Sequence, residues 1–373
     1  MRIAVLCPHF EDTGGVREVV ARLAQEHVAA GHRVDVVSRA SSDEPATGGG
    51  PIPIWRVPMA PAPYRGAGRR ATKRFIRRFL RGGGALAARV RALAPDVIAV
   101  HCSKFYAPWV MIARAACRAP VVLHLHNAER TADGPPSPFW SRRLLGTASR
   151  VIAVAPAVAD FALRTRPALA GRVVVIRNGV DPGEFDSVEP ERREGPYLLA
   201  VGRLAPQKGF DVLLDALAMC RHTVPLVIAG DGPDRAALAA RAARLGPPDR
   251  VVLLGDVPRT RVRQLLRGAA LVLMPSRFEG NPLIAIEAMQ AGAPLIASDI
   301  PGLPPELRPG ETGYLVPPED PAALAAAIDA LLDDASLARR LGAAAAQAAR
   351  DMPAWPTIAA EVLAVYDAAA HSM

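Results

Sequence analysis

The sequence predicts an α/β protein built from two parallel-sheet, Rossmann-like domains in tandem. Short apolar runs alternate with longer helical patterns from end to end, which is typical of parallel strands joined by crossover helices. The chain has 373 residues, more than a single hydrophobic core usually serves, so two domains are expected. The strand and helix pattern also restarts near residue 196, after a segment of turn and charged residues.

In the first half, apolar runs predict strands at residues 3–7, 33–37, 96–100, 121–125, 150–154 and 172–176. A helical pattern at 16–30 follows the first strand, and Gly31 supplies its C-terminal cap. In the second half, strands are predicted at 197–201, 226–229, 251–254, 271–274 and 295–297. Doubly wound sheets bind ligands beyond the carboxyl ends of their strands. We therefore expect the two domains to face each other across a ligand-binding cleft.

The domain boundary is predicted between residues 180 and 195, where turn residues and then a charged stretch replace any hydrophobic period. Residues 1–180 are assigned to the first domain, 181–195 to a linker and 196–350 to the second domain. Residues 351–373 are expected to form a helix that crosses back to the first domain.

Composition narrows the class of protein without naming a ligand. No apolar run reaches the roughly 18 residues needed to span a bilayer, and the N-terminal run turns polar at Pro8 before a signal-peptide core is complete. The four cysteines are scattered, which indicates reduced thiols, a cytoplasmic location and no zinc site. The net charge of +9 favours anionic partners, but the sequence lacks the usual nucleic-acid-binding motifs. We expect no nucleic-acid partner.

Two cations follow the first strand of the second half. Gly202 and Arg203 end that strand, and Lys208 precedes the next helical pattern, so both side chains are expected to reach a diphosphate at the strand ends. Of 45 basic residues only three are lysines, which makes a generic role for Lys208 less plausible, because an ammonium differs chemically from a guanidinium. The alternative is that both cations are solvated loop charges.

Two carboxylates follow a later strand with the same strand, loop and helix pattern. Glu279 is predicted in the loop, and Glu287 one turn or more into an otherwise apolar helix, where a carboxylate requires a partner. A ribose diol would supply one, and a structural ion pair is the alternative. Between them, Gly280 permits close backbone approach, Pro282 suits a first helical turn, and the amides of Asn281 and Leu283 can donate to phosphate or sugar oxygens.

These residues together resemble the retaining glycosyltransferases of family 4, which have the two-domain GT-B architecture, and the resemblance covers essentially the whole chain. It implies that Arg203 and Lys208 hold the diphosphate of a nucleotide sugar, Glu287 the ribose and Glu279 the donor sugar. The turn at 255–258, with Val257, is predicted to face the nucleobase. Many family members carry a second glycine where this chain has Pro282. The second domain is thus expected to bind the donor and the first domain the acceptor.

In the first half, the resemblance points to a glycine turn and a histidine. Gly14 and Gly15 resemble the loop that approaches donor phosphate and acceptor, although a lone Gly-Gly also fits an ordinary turn. His126, at the end of the 121–125 strand, is expected beside the donor sugar. His124 lies on the same strand face and is the alternative, with a core role as its simplest explanation. His101, at the end of the preceding strand, is a weaker acceptor-side candidate.

A basic amphipathic stretch occupies residues 69–81. Two interpretations stay open: peripheral association with the anionic inner face of a membrane, and an outer helix packed on the first sheet through its apolar stripe.

The function expected from the resemblance is retaining transfer of a hexose-type sugar from a UDP- or GDP-sugar to a hydroxyl, in glycan, glycolipid or natural-product synthesis. No cofactor or metal is expected, since the cations can neutralise the leaving phosphate and no Asp-x-Asp motif is present. The alternatives are an epimerase or phosphorylase on the same fold, and a non-catalytic protein that binds nucleotide sugars. A dehydrogenase is disfavoured because the three-glycine dinucleotide fingerprint is missing. Acceptor choice is assigned to the loops 41–64 and 131–138, which carry no recognisable code.

Overall fold

The computed structural model describes residues 1–12, 14–40, 52–62, 68–128 and 137–371. The chain divides into two compact units, the first formed by Met1–Asn178 with Trp355–Met373 and the second by Gly179–Ala354. The segment 181–195 lies within the second unit. Most of the predicted acceptor loops, at 41–51, 63–64 and 131–136, lie outside the described residues.

The first unit contains a parallel sheet of seven strands in the order β3-β2-β1-β4-β5-β6-β7. Its strands are β1 (Arg2–Leu6), β2 (Arg33–Arg39), β3 (Ile54–Val57), β4 (Val97–Val100), β5 (Val121–Leu125), β6 (Arg150–Ala153) and β7 (Val173–Val175). Its helices are α1 (Gly15–Ala29), α2 (Arg69–Leu93), α3 (Ala107–Ala116), α4 (Pro138–Leu145), α5 (Pro156–Thr165) and, from the end of the chain, α12 (Trp355–Ala370). The central strand β4 is apolar at every position and fully buried, as is typical of a parallel strand covered on both faces.

The second unit contains a parallel sheet of six strands in the order β10-β9-β8-β11-β12-β13. Its strands are β8 (Leu198–Val201), β9 (Leu226–Ala229), β10 (Val251–Gly255), β11 (Leu271–Met274), β12 (Leu295–Ser298) and β13 (Tyr314–Val316). Its helices are α6 (Phe210–Met219), α7 (Arg235–Ala242), α8 (Arg259–Gly268), α9 (Leu283–Gln290), α10 (Pro321–Asp333) and α11 (Ala335–Arg350). Separate apolar clusters fill the two sides of this sheet.

Both sheets are parallel throughout their named strand pairs, so the predicted α/β class is confirmed. Two edge strands were not predicted. β3 lies in the proline-rich stretch assigned to an acceptor loop, and β13 has only three residues between a glycine and two prolines. Neither offers a run long enough for a strand period to emerge.

The strand order reverses direction once in each sheet, between β1 and β4 in the first and between β8 and β11 in the second. Loops that follow the two central strands leave in opposite directions at such a point and open a crevice beyond the carboxyl ends. In the second unit, β8 leads to Gly202 and β11 leads to Glu279. The loop that carries Lys208 and the loop that carries Glu279 therefore lie at the same crevice.

Helix α2 extends the predicted basic stretch by twelve residues, to Leu93. Its buried positions, Gly82, Leu86, Val90 and Leu93, all lie in the C-terminal half. In the N-terminal half Phe79 packs edge to face on Trp109, with ring centroids 5.4 Å apart. No described helix combines the length and the apolar character that crossing a membrane requires.

Candidate functional site

The cation segment begins where β8 ends. Gly202 follows the strand, Arg203 is exposed, and residues 206–208 form one turn of 3₁₀ helix that carries Lys208 to the start of α6. Gly209 joins the two helices with a positive φ of 64°. A Cβ atom at this position would lie 2.0 Å from the carbonyl oxygen of Pro275, so glycine lets the turn approach the end of β11.

Lys208 and Glu279 form an ion pair at this crevice. The Nζ atom of Lys208 lies 2.6 Å from Oε1 of Glu279, and the two side chains are 19% and 7% exposed. The Ser276 hydroxyl donates to the same oxygen at 2.7 Å, and the Gln207 amide donates to Oε2 at 3.4 Å. The carboxylate is therefore held by three donors from two different loops.

Arg277 holds the two loops together. Its guanidinium donates to both oxygens of Asp211 at 2.8 Å, and it also pairs with Glu319 and donates to the carbonyl oxygen of Pro206. The hydrogen bond to Asp211 is the main cause that raises the pKa of Arg277 and lowers that of Asp211. The planar guanidinium of Arg277 thus fixes the position of the turn that carries Lys208.

Glu287 lies on α9 and pairs with Arg259, the first residue of α8. The Glu287 side chain is 7% exposed and that of Arg259 38% exposed. The sequence left a ribose and a structural ion pair as partners for Glu287, and the structure pairs it with Arg259. Val257 lies two residues before Arg259 and packs on the core, so the turn expected at the nucleobase adjoins the carboxylate expected at the ribose.

The segment between the two glutamates is buried against the body of the second unit. Gly280, Asn281 and Pro282 are buried, and α9 begins at Leu283 with Pro282 in the capping position. Gly302 has a φ of 98°, and a Cβ there would lie 2.5 Å from the carbonyl oxygen of Glu279. The backbone at Gly302 therefore packs directly against the loop that carries Glu279.

In the first unit, Gly14 precedes α1 with a φ of 143°, and Gly15 is the first residue of that helix. Both glycines are exposed.

The three histidines form one cluster at the ends of β4 and β5. His101 Nδ1 lies 2.9 Å from His126 Nε2, the His101 and His124 rings stack with centroids 4.0 Å apart, and His124 Nε2 lies 2.8 Å from the Tyr366 hydroxyl of α12.

Burial keeps this cluster uncharged. It lowers the pKa of His126 to about 4 and brings the pKa values of His101 and His124 well below the ordinary value of 6.5. The three imidazoles are therefore neutral near pH 7, and each has one donor and one acceptor nitrogen. His124 has a buried partner and a core position, whereas His126 is only partly buried.

Several supporting residues escaped the sequence-based prediction: Ser276, Gln207, Arg277, Arg259 and Tyr366. Ser276 and Arg277 stand in the same loop as Glu279, and Gln207 precedes Lys208, so proximity in sequence was the only available signal. Tyr366 lies 242 residues from His124, and no local pattern connects them.

Comparison with known proteins shows the family of the chain. The family model described as Glycosyltransferase Family 4 matches residues 13–184, and that described as Glycosyl transferases group 1 matches residues 183–348. The phosphatidyl-myo-inositol mannosyltransferase of Mycobacterium leprae is 32% identical, with 100% of this chain and 98% of that protein aligned. The D-inositol 3-phosphate glycosyltransferase of Streptomyces scabiei is 30% identical over 99% of this chain and 92% of its own length.

Solved structures show the same fold. Sucrose-phosphate synthase from Thermosynechococcus elongatus superposes with a TM-score of 0.83 at 23% identity, covering 100% of this chain and 99% of its own. Anabaena HepE in complex with UDP and glucose gives a TM-score of 0.77 at 22% identity, covering 99% of this chain and 100% of its own.

Two parallel-sheet units in tandem, with this family match, define a glycosyltransferase of the GT-B type. The chain belongs to glycosyltransferase family 4. Its substrates are accordingly a sugar donor and an acceptor.

Proposed function

We propose that the protein transfers a hexose from a UDP- or GDP-sugar to a hydroxyl group, with retention of the anomeric configuration. The observation that carries this proposal is the Lys208 and Glu279 pair, largely withdrawn from water at the crevice of the second sheet. A cation and a carboxylate side by side suit a ligand with a diphosphate next to a sugar. Two relatives named as glycosyltransferases of inositol compounds support the same reaction class.

The proposed role of Lys208 is to stabilise the leaving diphosphate. Negative charge grows on the β-phosphate as the glycosidic bond breaks. The Lys208 ammonium, held in a site with little access to water, would offset that charge. Arg203 adds a second cation, and the amides at the start of α6 add donors. Arg203 and Lys208 are proposed to do this without a metal ion, and activity that persists in EDTA is the test.

The proposed role of Glu279 and Glu287 is to bind hydroxyl groups. Glu279 accepts from the sugar, and its hold on Lys208 keeps the ammonium next to the bond that breaks. Glu287 accepts from the ribose, with Arg259 setting the orientation of the carboxylate. The backbone amides of Asn281 and Leu283 are further donors for phosphate or sugar oxygens.

His126 is proposed to orient the donor sugar as a neutral imidazole. In the reaction, the bond from the anomeric carbon to the phosphate oxygen breaks and the acceptor oxygen bonds to the same face. The acceptor proton passes to the departing phosphate. His126→Ala should therefore slow turnover while nucleotide binding persists, and unchanged turnover would remove His126 from the mechanism.

The donor is tested first. A thermal-shift series with UDP, GDP and their glucose and mannose conjugates should raise the melting temperature for one nucleotide, because a ligand stabilises by mass action. The matched variant Lys208→Met should lose most of that shift. If no nucleotide diphosphate raises the melting temperature of the wild-type protein, the proposed donor site is wrong.

The reaction class is tested next. The bound donor is incubated alone and then with inositol phosphate, phosphatidylinositol and simple glycosides as acceptors. Transfer requires an acceptor, whereas an epimerase changes the donor without one. Proton NMR of the product then reports whether the anomeric configuration is retained.

Peripheral binding to anionic membranes through residues 69–81 is also proposed. Ile76 is 50% and Leu80 76% exposed, and arginines flank both on α2. Apolar side chains among cations suit an anionic lipid surface. Co-sedimentation with vesicles rich in anionic lipid should fall for Leu80→Ser, and equal binding to neutral vesicles would contradict the idea.

A further inference from the structure

A chain of aromatic rings runs from the C-terminal helix to the end of β5. Tyr366 on α12 contacts His124, His124 stacks on His101, and His101 bonds to His126. All four residues belong to the first unit. The inner members are buried, with Tyr366, His101 and His124 at 1%, 2% and 3% exposure, whereas His126 is partly exposed.

The bond between His101 and His126 links their protonation. It joins Nδ1 of one neutral ring to Nε2 of the other at 2.9 Å, so one nitrogen must carry the proton and the other must accept it. If Nε2 of His126 accepts this hydrogen bond, its Nδ1 carries the proton and is a donor. If Nε2 donates, Nδ1 is an acceptor. The state of His101 therefore decides whether His126 presents a donor or an acceptor with its remaining nitrogen.

His101 is held in one orientation from two sides. Its backbone amide donates to the carbonyl oxygen of Leu6 at 3.0 Å, which continues the hydrogen bonding between β4 and β1. Its ring lies nearly parallel to His124, at 20°. His124 is in turn tied to the Tyr366 hydroxyl at 2.8 Å, and the Tyr366 ring also meets His27 of α1 edge to face.

A role in filling the core does not explain this set. Leucine or phenylalanine would fill the same space without the cost of burying imidazole nitrogens. The rings are instead connected by hydrogen bonds at both ends of the stack, and the outermost ring is His126, the histidine proposed to act on the donor sugar.

We propose that His101 is a positioning residue for His126: its Nδ1 selects the tautomer and orientation of the His126 ring, and His124 and Tyr366 hold His101 in place. This inference rests on the proposed function, because the selected nitrogen of His126 is the one offered to the donor sugar. His101 itself contacts neither substrate.

Three variants separate hydrogen bonding from packing. His101→Asn places an amide nitrogen near the Nδ1 position, His101→Gln places it near Nε2, and His101→Leu removes the polar group. His371→Leu, at an exposed position after α12, is the matched control. For each variant kcat and the donor KM are measured, together with the melting temperature and ring ¹⁵N NMR of histidine-labelled protein, with His126→Gln used to assign the His126 signals.

His101→Leu is expected to lower kcat roughly 10- to 100-fold, the scale that misplacement of a site group produces, while the donor KM stays near the wild-type value. Its NMR spectrum should show His126 as a mixture of tautomers, where the wild type shows one. His101→Asn should recover most of kcat and the single tautomer, and His101→Gln should not. His371→Leu should match the wild type in kcat, donor KM, melting temperature and the His126 signals.

Three results would overturn the proposal: full activity of His101→Leu, a single, unchanged His126 tautomer in that variant, or equal losses in the Asn and Leu variants with a lowered melting temperature in both. These failures are distinct from failure of the proposed function. If His126→Ala is inactive while His101→Leu is fully active, only the positioning role is lost. If His126→Ala is fully active, the assigned role of His126 itself is wrong.

Discussion

Lys208 and Glu279 form an ion pair that is mostly removed from water, and such pairs depend on their surroundings. Taking a charge out of water is costly unless hydrogen bonds and a counter-charge compensate it. Ser276 and Gln207 supply further donors to Glu279. The carboxylate would therefore keep two hydrogen-bond partners if Lys208 moved toward the diphosphate that we propose it binds.

Lys208→Met should lower kcat/KM about 100- to 1000-fold, the loss expected when one donor to a developing anion is removed. Steady-state kinetics with the identified donor measure the loss. Arg340→Met, at an exposed cation of the same unit, should keep wild-type activity. Activity of the Lys208 variant equal to that of the Arg340 variant would show that Lys208 does not act on the donor.

The pairing of Arg259 with Glu287 should be visible as coupling in stability. Arg259→Ala leaves a buried carboxylate with one partner fewer, and because Arg259 is itself 38% exposed we expect a loss of about 1–2 kcal/mol in the free energy of unfolding. The double variant with Glu287→Gln should be more stable than the sum of the single losses predicts. Urea denaturation measures all three, and additive losses would mean that the ion pair contributes nothing.

At the scale of elements, the crevice of the second sheet is built by two loops that one arginine ties together. Arg277 contacts the turn before α6 through Pro206, α6 itself through Asp211, and the segment before α10 through Glu319. A lysine has the charge but not the planar fork needed for several simultaneous contacts. The position of Lys208 thus depends on a residue outside the predicted donor contacts.

Arg277→Lys should raise the donor KM several-fold and lower stability by about 1–3 kcal/mol, since charged hydrogen bonds to Asp211 and Glu319 are lost. Donor titration and urea denaturation provide the two values, with Arg340→Lys as the conservative control. An unchanged donor KM alongside reduced stability would show that the contacts of Arg277 stabilise the fold and do not affect donor binding.

At the scale of the whole molecule, the buried histidines predict an acid-sensitive first unit. Burial lowers the pKa of His27 from 6.5 to about 4. At a pH between these two pKa values the unfolded chain binds more protons than the folded chain. The contribution of His27 to the free energy of unfolding is therefore fully present above pH 6.5 and is lost as the pH falls toward 4. For one such histidine the loss is on the order of 3 kcal/mol.

His27→Gln provides the test, because glutamine retains a donor for the Ala359 carbonyl oxygen but does not titrate. The free energy of unfolding of the first unit, measured between pH 7 and 4.5, should depend less on pH in this variant than in the wild type. His371→Gln, at an exposed position, should keep the wild-type pH dependence. The same pH dependence in all three proteins would contradict the prediction.

The sheet strands were predictable where apolar runs are long and bounded by turns. The predicted strands 121–125 and 271–274 coincide with β5 and β11, because buried parallel strands form nearly continuous apolar runs. β3 and β13 were missed since edge strands need fewer apolar residues. Sequence alone also located Lys208 and Glu279 in loops after neighbouring strands.

What sequence reasoning lacked was the set of partners. Arg259 is 28 residues from Glu287 and Tyr366 is 242 residues from His124, and such pairs are brought together only by tertiary packing. Glu287 was correctly expected to need a partner, but its chemistry fits an arginine as well as a ribose. The roles of these residues therefore remain predictions for the experiments above.

The first unit is made from two separate pieces of the chain, Met1–Asn178 and Trp355–Met373. Helix α12 packs on α1, β4, β5 and β6, so during synthesis on a ribosome this unit stays incomplete until the entire second unit has been translated. Apolar faces of α1 and the sheet are exposed for that interval, and exposed apolar surface is where aggregation starts and chaperones bind. A prematurely terminated chain would keep these faces open, and quality-control proteases would thus meet an unfinished unit rather than a stable fragment.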